Sequence, residues 1–135
     1  MSFIVDSDVF IHDLLHTERS EEARTFLDKY TEEISTTALN IMEIGSVLSR
    51  KYRWKKKDIN DVVNVIRKSI KIIIPNEYDI IGALNLSLQY YLTPIDALML
   101  TMAEKMKTSL VTFDRELLNF SKRGFSVICP EELQN

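Results

Sequence analysis

The chain has 135 residues and is poor in three residue types: it contains one cysteine, three glycines and three prolines. A single cysteine, Cys129, cannot form an internal disulfide, so we expect a buried structural thiol in a reducing compartment. The low glycine and proline content excludes collagen-like and low-complexity chains. With 45% hydrophobic and 27% charged residues, the composition predicts one globular domain that spans residues 1–135.

Long apolar runs are also missing, and none is long enough to cross a membrane. The first residues, MSFIVDSDVF, reach an acidic side chain too early for a secretory signal peptide. We therefore expect a soluble, cytoplasmic protein.

An excess of positive charge is absent as well, because the net charge is −3. This excludes a generally basic nucleic-acid binder but allows a locally basic surface. The run RKYRWKKK at 50–57 is such a stretch. Its residues Arg53, Trp54 and Lys55 are candidate RNA-binding residues, since cations hold phosphates and an indole ring stacks on bases. A solvated loop between helices would have the same composition.

Strand-like and helix-like segments alternate along the chain, which predicts an α/β domain with a mostly parallel sheet. Helix caps are expected at Ser20, Asp58, Asn76 and Thr93. The predicted strands are 2–5, 33–36, 71–74, 109–112 and 125–128. The predicted helices are 7–15, 20–30, 38–51, 59–70, 77–91, 94–106 and 115–120.

Two of these helices carry pronounced apolar stripes. The stripe of 38–51 includes Met42 and Ile44. The stripe of the helix before residue 92 consists of Ile80, Ile81, Leu84, Leu88 and Tyr91, and we expect it to face inward. Either helix could instead supply an interface between copies of the chain, because an apolar stripe suits both purposes.

Four acidic residues stand out: Asp6, Glu43, Asp96 and Asp114. Asp6 and Asp114 follow predicted strands, and Asp96 lies in the first turn of a helix. Each of these three has an ordinary explanation as a turn or cap residue. Glu43 is different, because it lies between Met42 and Ile44 in a helix that reads as mostly buried. An unpaired carboxylate near a core costs several kcal/mol, so it needs a cation.

The carboxyl ends of parallel strands form the edge where such sheets bind ligands, so the four acids are expected to meet there. Carboxylates gathered from distant parts of a chain repel one another. A protein keeps such a cluster mainly to hold a hard divalent cation, such as Mg²⁺ or Mn²⁺, through oxygen ligands. Metal-assisted cleavage of phosphodiesters is therefore the first hypothesis.

The same residues resemble the PIN domain family and, within it, the small VapC-like toxins of prokaryotic toxin–antitoxin pairs. The resemblance covers nearly the whole chain. It rests on the order of four short motifs, each weak alone. They are Asp6-Ser7-Asp8-Val9 after a strand, Glu43 in the second main helix, Pro94-Ile95-Asp96-Ala97 opening a helix, and Thr112-Phe113-Asp114 after a strand.

This resemblance implies a single-domain α/β/α sandwich and a ribonuclease that depends on Mg²⁺ or Mn²⁺. It assigns catalytic and metal-binding roles to Asp6, Glu43, Asp96 and Asp114. Asp8 takes a supporting position, and the Thr112 hydroxyl could orient a carboxylate or a water. The family often forms homodimers, and its toxins are silenced by an antitoxin protein that inserts a peptide near the site.

Three alternatives stay open at this stage. A non-catalytic PIN-like module that binds RNA or protein would have the same fold. A phosphatase of the haloacid dehalogenase type would share Asp6-Ser7-Asp8, although Phe10 and Arg115 stand where that family has other residues. His12 and His16 lie one helical turn apart, as zinc ligands can, but no third ligand has matching spacing.

Overall fold

The computed structural model describes residues 2–134, which fold around a five-stranded sheet with strand order β3-β2-β1-β4-β5. Every neighbouring pair of strands is parallel. The strands are β1 (Phe3–Val5), β2 (Ile34–Thr37), β3 (Lys71–Ile73), β4 (Ser109–Val111) and β5 (Val127–Ile128). The predicted parallel sheet is confirmed, with strand bounds shifted by a residue or two.

Seven α-helices flank the sheet in the part of the chain that the structure describes. They are α1 (Ser7–Leu14), α2 (Ser20–Lys29), α3 (Ala38–Arg50), α4 (Lys56–Ser69), α5 (Glu77–Tyr90), α6 (Pro94–Lys105) and α7 (Arg115–Leu118). Short 3₁₀ segments occupy Thr31–Glu33, Asn119–Arg123 and Pro130–Leu133. The alternation of strands and helices confirms the expected α/β/α domain.

The central strand β1 shows why helices must cover both faces of the sheet. Phe3 and Val5 belong to one buried cluster, together with Phe26 of α2 and Ile44 of α3. Ile4 points the other way and joins a second cluster, which contains most of α6. All three β1 side chains are buried, as expected for a strand covered on both sides. Cys129 lies buried in the first cluster as a free thiol.

Two of the predicted helix caps are wrong. Helix α4 starts at Lys56, with Lys55 rather than Asp58 at the cap position. Asp58 lies instead in the first turn of the helix, where the helix dipole favours an acidic side chain. Ser20 is the first residue of α2, and Arg19 takes the cap position. The Ser20 hydroxyl lies within hydrogen-bond reach of the His12 and Leu15 carbonyl oxygens and can donate to one of them at a time.

The other caps hold. Asn76 forms a capping box with Asp79, and Thr93 caps α6 through the Asp96 backbone N–H. Asp79 also accepts a hydrogen bond from Lys105 at 2.7 Å, which ties α5 to the end of α6.

The stripe on α5 does not face inward as expected. Ile80, Ile81 and Leu84 are about half exposed, and Leu88 is 67% exposed. Tyr91, just after the helix, is 92% exposed. Met42 on α3 is likewise turned to the surface. Hydrophobic period alone does not distinguish a core face from a surface face. Here α5 packs on α6 through the other side of the helix, around Ala83.

No helix between residues 2 and 134 combines the length and the apolar character that a membrane span needs.

Candidate active site

The site is built around Asp6, which follows β1 at the carboxyl edge of the sheet. Its backbone N–H continues the sheet by donating to the Val111 carbonyl at 2.9 Å. One carboxylate oxygen accepts from the Ser7 N–H at 2.7 Å, so Asp6 also caps α1. The other oxygen accepts from the Thr112 hydroxyl at 2.8 Å. The side chain is 6% exposed, so its charge is almost completely removed from water.

Thr112 connects three of the acids. Its Oγ1 lies 2.8 Å from Asp6 and 3.2 Å from Asp8, and it accepts a hydrogen bond from the Asp114 N–H at 3.0 Å. One hydroxyl carries one hydrogen, so it can donate to only one carboxylate at a time. Asp8 is also held by the Phe113 N–H at 3.0 Å.

Asp114 and Asp96 approach from the starts of two helices. Asp114 caps α7 by accepting from the Glu116 N–H at 2.8 Å. Asp96 occupies the first turn of α6 and is partly buried. The charge of Asp114 raises the pKa of Asp96, which places the two carboxylates within electrostatic reach of each other.

Glu43 reaches the same edge from α3, and its charge also raises the pKa of Asp96. A buried polar chain fixes the start of α3 against α1. Thr37 donates to the Asn40 side chain at 2.5 Å, and Asn40 donates to the Ser7 hydroxyl at 2.8 Å. Asn40 is fully buried, so these hydrogen bonds hold the helix that carries Glu43 next to the residue that follows Asp6.

Burial is the largest cause of the pKa shifts at this site, and neighbouring carboxylates add to it. Burial, with the charges of Asp8 and Asp96, holds the pKa of Asp6 well above its ordinary value. Burial raises the pKa of Asp8 to about 6, against the lowering effect of its hydrogen bonds from Phe113 and Thr112. Burial and the Asp114 charge raise the pKa of Asp96 to about 6.

Cations do not compensate these carboxylates. The charges that shift the three pKa values all belong to other acids. Between residues 2 and 134, the ion pairs are Arg24–Asp13 and Lys105–Asp79, neither of which involves a site residue. Buried carboxylates without a partner are costly, so the donor set suits a bound divalent cation that prefers oxygen ligands.

The acids are near one another, but their carboxylate oxygens do not yet surround a common metal position. Within the described residues, no three Asp, Glu, His or Cys side chains are already arranged to hold an ion. The oxygen donors fit a hard cation by their chemistry, and binding would require the side chains to draw together.

Sequence reasoning missed Glu116, whose charge also raises the pKa of Asp96. It lies in the first turn of α7, two residues after Asp114. The available signal was this spacing after a strand, but an acid in the first turn of a helix is common because it favours the helix dipole.

The candidate RNA-binding residues lie elsewhere. Arg53, Trp54 and Lys55 line a surface depression of ≈550 Å³ at the turn between α3 and α4, together with Asp58 and Asp61. The structure therefore does not bring them together with the carboxylates. His12 packs edge-on against Phe113 and bonds to Thr17, and the described residues offer it no metal-binding group.

Comparison with known proteins identifies the family. The model of the PIN domain matches residues 3–123. The chain belongs to the PIN domain family. A search of curated proteins finds no match. Because the PIN domain match covers residues 3–123, the haloacid dehalogenase alternative is wrong.

Solved structures from three organisms share the fold. A toxin–antitoxin complex from Klebsiella pneumoniae aligns at a TM-score of 0.73 and 22% identity, covering 96% of this chain and 98% of that one. PAE2754 from Pyrobaculum aerophilum aligns at 0.73 and 25% identity, covering 99% and 93%. VapC20 from Mycobacterium tuberculosis, a toxin that cleaves the sarcin–ricin loop, aligns at 0.77 and 15% identity, covering 92% and 96%. These likenesses show that the whole chain has the fold of these proteins.

The raised pKa values predict that the metal-free PIN domain loses stability as the pH rises. The folded pKa of Asp8, about 6, lies above its ordinary value of 3.8. The folded state therefore binds this proton more tightly, so stability is greatest at low pH and falls through that window. Asp8→Asn keeps the hydrogen-bond acceptor and removes the charge. Near neutral pH it should stabilise the metal-free protein, by up to about 3 kcal/mol.

Urea unfolding in chelator, at about pH 5 and about pH 7.5, measures this effect. Asp58→Asn, an exposed acid on α4, is the matched control and should leave the pH dependence unchanged. An Asp8→Asn protein that is less stable than the wild type near neutral pH would contradict the electrostatic account.

Proposed function

We propose that this PIN domain is a metal-dependent endoribonuclease that uses Mg²⁺ or Mn²⁺ and acts as the toxin of a toxin–antitoxin pair. The observation that carries the proposal is the group of uncompensated carboxylates around Asp6 at the carboxyl edge of the sheet. A chain that keeps repelling charges in a partly buried place needs a cation there to offset their cost. A binding module with an idle site would have no such need.

Four residues would hold the metal: Asp6, Glu43, Asp96 and Asp114. When bound there, a divalent ion supplies charge stabilisation to the phosphoryl group and lowers the pKa of a water. Asp8 and Thr112 support the set without ligating. The Thr112 hydroxyl donates to one oxygen of Asp6 and accepts from the Asp114 backbone N–H. These two hydrogen bonds hold Asp6 and Asp114 at a fixed distance from each other.

The Glu43 side chain is less constrained than that of Asp6. It is partly exposed and has no hydrogen bond within the described residues, so its carboxylate can accept a hydrogen bond from an attacking water. Attack by water, rather than by the ribose 2′-hydroxyl, leaves a 5′-phosphate and a 3′-hydroxyl. A partly buried acidic site also keeps bulk water from the scissile phosphate, which strengthens each interaction with it.

The proposal predicts metal-dependent cutting of RNA. Purified protein should cleave a pool of structured RNAs with Mg²⁺ or Mn²⁺ but not with chelator. Asp6→Asn should reduce the rate by at least about a hundredfold, since it removes a charge that the metal needs. Asp13→Asn, which changes an acid on α1 outside the site, is the control. Cutting that yields 2′,3′-cyclic phosphates, or that persists in Asp6→Asn, would refute the mechanism.

An antitoxin partner is supported by the toxin–antitoxin complex from Klebsiella pneumoniae that shares the fold. We propose a cognate antitoxin for this chain on that basis. An RNA substrate and the free, buried thiol of Cys129 both fit a cytoplasmic protein.

We also propose a homodimer through α5. Its exposed stripe of Ile80, Ile81, Leu84 and Leu88 continues to Tyr91, and contiguous apolar surface of this kind marks interfaces. One helix paired with its own copy about a two-fold axis presents the same surface twice, which closes the interface.

The dimer makes a prediction in solution. Replacing Leu84 and Leu88 with Glu should convert the dimer to a monomer, because each copy would bring two charges into the apolar contact. Sedimentation equilibrium measures the mass. Asn85→Glu is the control, because it adds a charge to the same helix beside the stripe. This variant should keep the mass of a dimer. A wild type that sediments as a monomer at high concentration would disprove the dimer.

A further inference from the structure

Charge is distributed very unevenly along the chain. Residues 50–71 contain nine of the 17 Lys and Arg residues but only two of the 20 Asp and Glu residues. That segment, which covers the α3–α4 turn, α4 and the start of β3, therefore has a net charge of +7, and the rest of the chain has −10. The basic side chains of this segment are all exposed. A strand of RNA that enters the acidic site is repelled there, so it needs cations close by.

One end of this basic segment forms a groove. The groove measures ≈520 Å³ and is lined by Ala38, Asn64, Arg67, Lys68, Ile72 and Ile74. We call it the α4–β3 groove. Its cations, Arg67 and Lys68, form no ion pair within residues 2–134, and the groove lining contains no acid. By contrast, the depression around Trp54 contains Asp58 and Asp61, which partly cancel its cations.

The α4–β3 groove runs beside β3, from Arg67 and Lys68 in the last turn of α4 to the edge of the sheet that carries the carboxylates. Ala38 directly follows β2, and Ile74 directly follows β3. In the strand order β3-β2-β1, the end of β3 lies two strands from Asp6, which is about 10 Å at the usual strand spacing. The depression around Trp54 lies at the opposite end of α3, whereas Glu43 is only five residues from Ala38. The groove is therefore the nearer of the two basic places to the acids.

The lining suits a nucleotide whose base is unpaired. Arg67 and Lys68 are exposed donors for phosphate oxygens. Ile74, at 81% exposure, offers an apolar surface beside them, and the Asn64 amide can bond to a base edge. In an A-form duplex the bases are stacked, so their faces are covered and no base can lie against Ile74. Looped or single-stranded RNA leaves base faces and edges open.

We propose that the α4–β3 groove binds an unpaired stretch of the RNA substrate next to the scissile phosphate. Its phosphates lie on Arg67 and Lys68, and a base lies against Ile74. This inference rests on the proposed ribonuclease function and adds where on the protein the unpaired strand lies.

The test measures RNA binding without cleavage. Every protein carries Asp6→Asn, chelator is present, and a labelled unpaired RNA is titrated by fluorescence anisotropy between about 50 and 200 mM salt. Arg67→Gln with Lys68→Gln should weaken binding at least about fivefold and reduce the slope of log affinity against log salt by roughly 1.4, since each phosphate contact to a single strand contributes about 0.7. Ile74→Ser should weaken binding and leave the slope unchanged, because it contacts no phosphate.

The matched control is Lys107→Gln with Lys122→Gln. It makes the same change in net charge, but neither Lys107 nor Lys122 lines the α4–β3 groove. The control should keep the affinity and slope of the parent. The side chains replaced in addition to Asp6 are all exposed, and melting temperatures equal to that of the Asp6→Asn parent verify that each variant is folded.

The possible results distinguish a failure of the groove proposal from a failure of the ribonuclease proposal. If the groove variant binds like the control while wild-type protein cleaves RNA, the groove proposal is overturned and the ribonuclease stands. If the groove variant loses binding but wild type never cuts, the groove stands and the nuclease fails. A paired duplex that binds as tightly as the unpaired strand, with the same loss, overturns the single-stranded assignment. A groove variant that binds RNA normally but fails to bind an antitoxin would reassign the groove to protein.

Discussion

The structure depends on the burial of the Asp6 carboxylate among other carboxylates. A charge with 6% exposure and acidic neighbours opposes folding unless something at the site compensates it. Between residues 2 and 134 the chain provides two hydrogen bonds, from Ser7 and Thr112, and no cation. The site therefore has a built-in need for positive charge, which a divalent ion satisfies and which links metal binding to stability.

The fold partly meets this need through its helices. Three long helices, α1, α3 and α6, begin at the carboxyl edge of the sheet and direct their positive amino ends toward the acids. Asp6 caps α1, and Asp96 lies in the first turn of α6. For α1 and α3 the parallel sheet allows this, because each of them follows a strand that ends at this edge. Two buried clusters fix the helices on both faces, and the chain from Thr37 through Asn40 to Ser7 sets α3 against α1.

Much of this was readable in the sequence. Buried strands appear as short apolar runs, and Asp6 and Asp114 mark where two of them end. The four acids could be grouped because parallel strands share one carboxyl edge. The sharing of Thr112 between Asp6 and Asp8 could not be read, because it depends on the register of β1 against β4. Glu116 was hidden by its resemblance to an ordinary helix-start acid.

The errors have physical causes. A hydrophobic period tells which residues of α5 lie together but not whether they meet the core, so Leu88 was placed inside. The caps at Ser20 and Asp58 failed because other contacts compete with capping. The Ser20 hydroxyl bonds to the backbone carbonyl oxygens of His12 and Leu15. Asp58 lies in the first turn of α4, where the helix dipole favours an acid.

Calorimetric titration of the protein with Mn²⁺ at about pH 6 tests the central claim most directly, when run in two buffers that differ in ionisation enthalpy. The account predicts binding that releases protons, since Asp96, whose pKa is raised to about 6, must lose its proton to become a ligand. Asp96→Asn should weaken binding at least about tenfold by removing one charged ligand, and Asp61→Asn, an exposed acid on α4, should not. No measurable binding, or equal binding by Asp96→Asn, would contradict the claim that these carboxylates hold the metal.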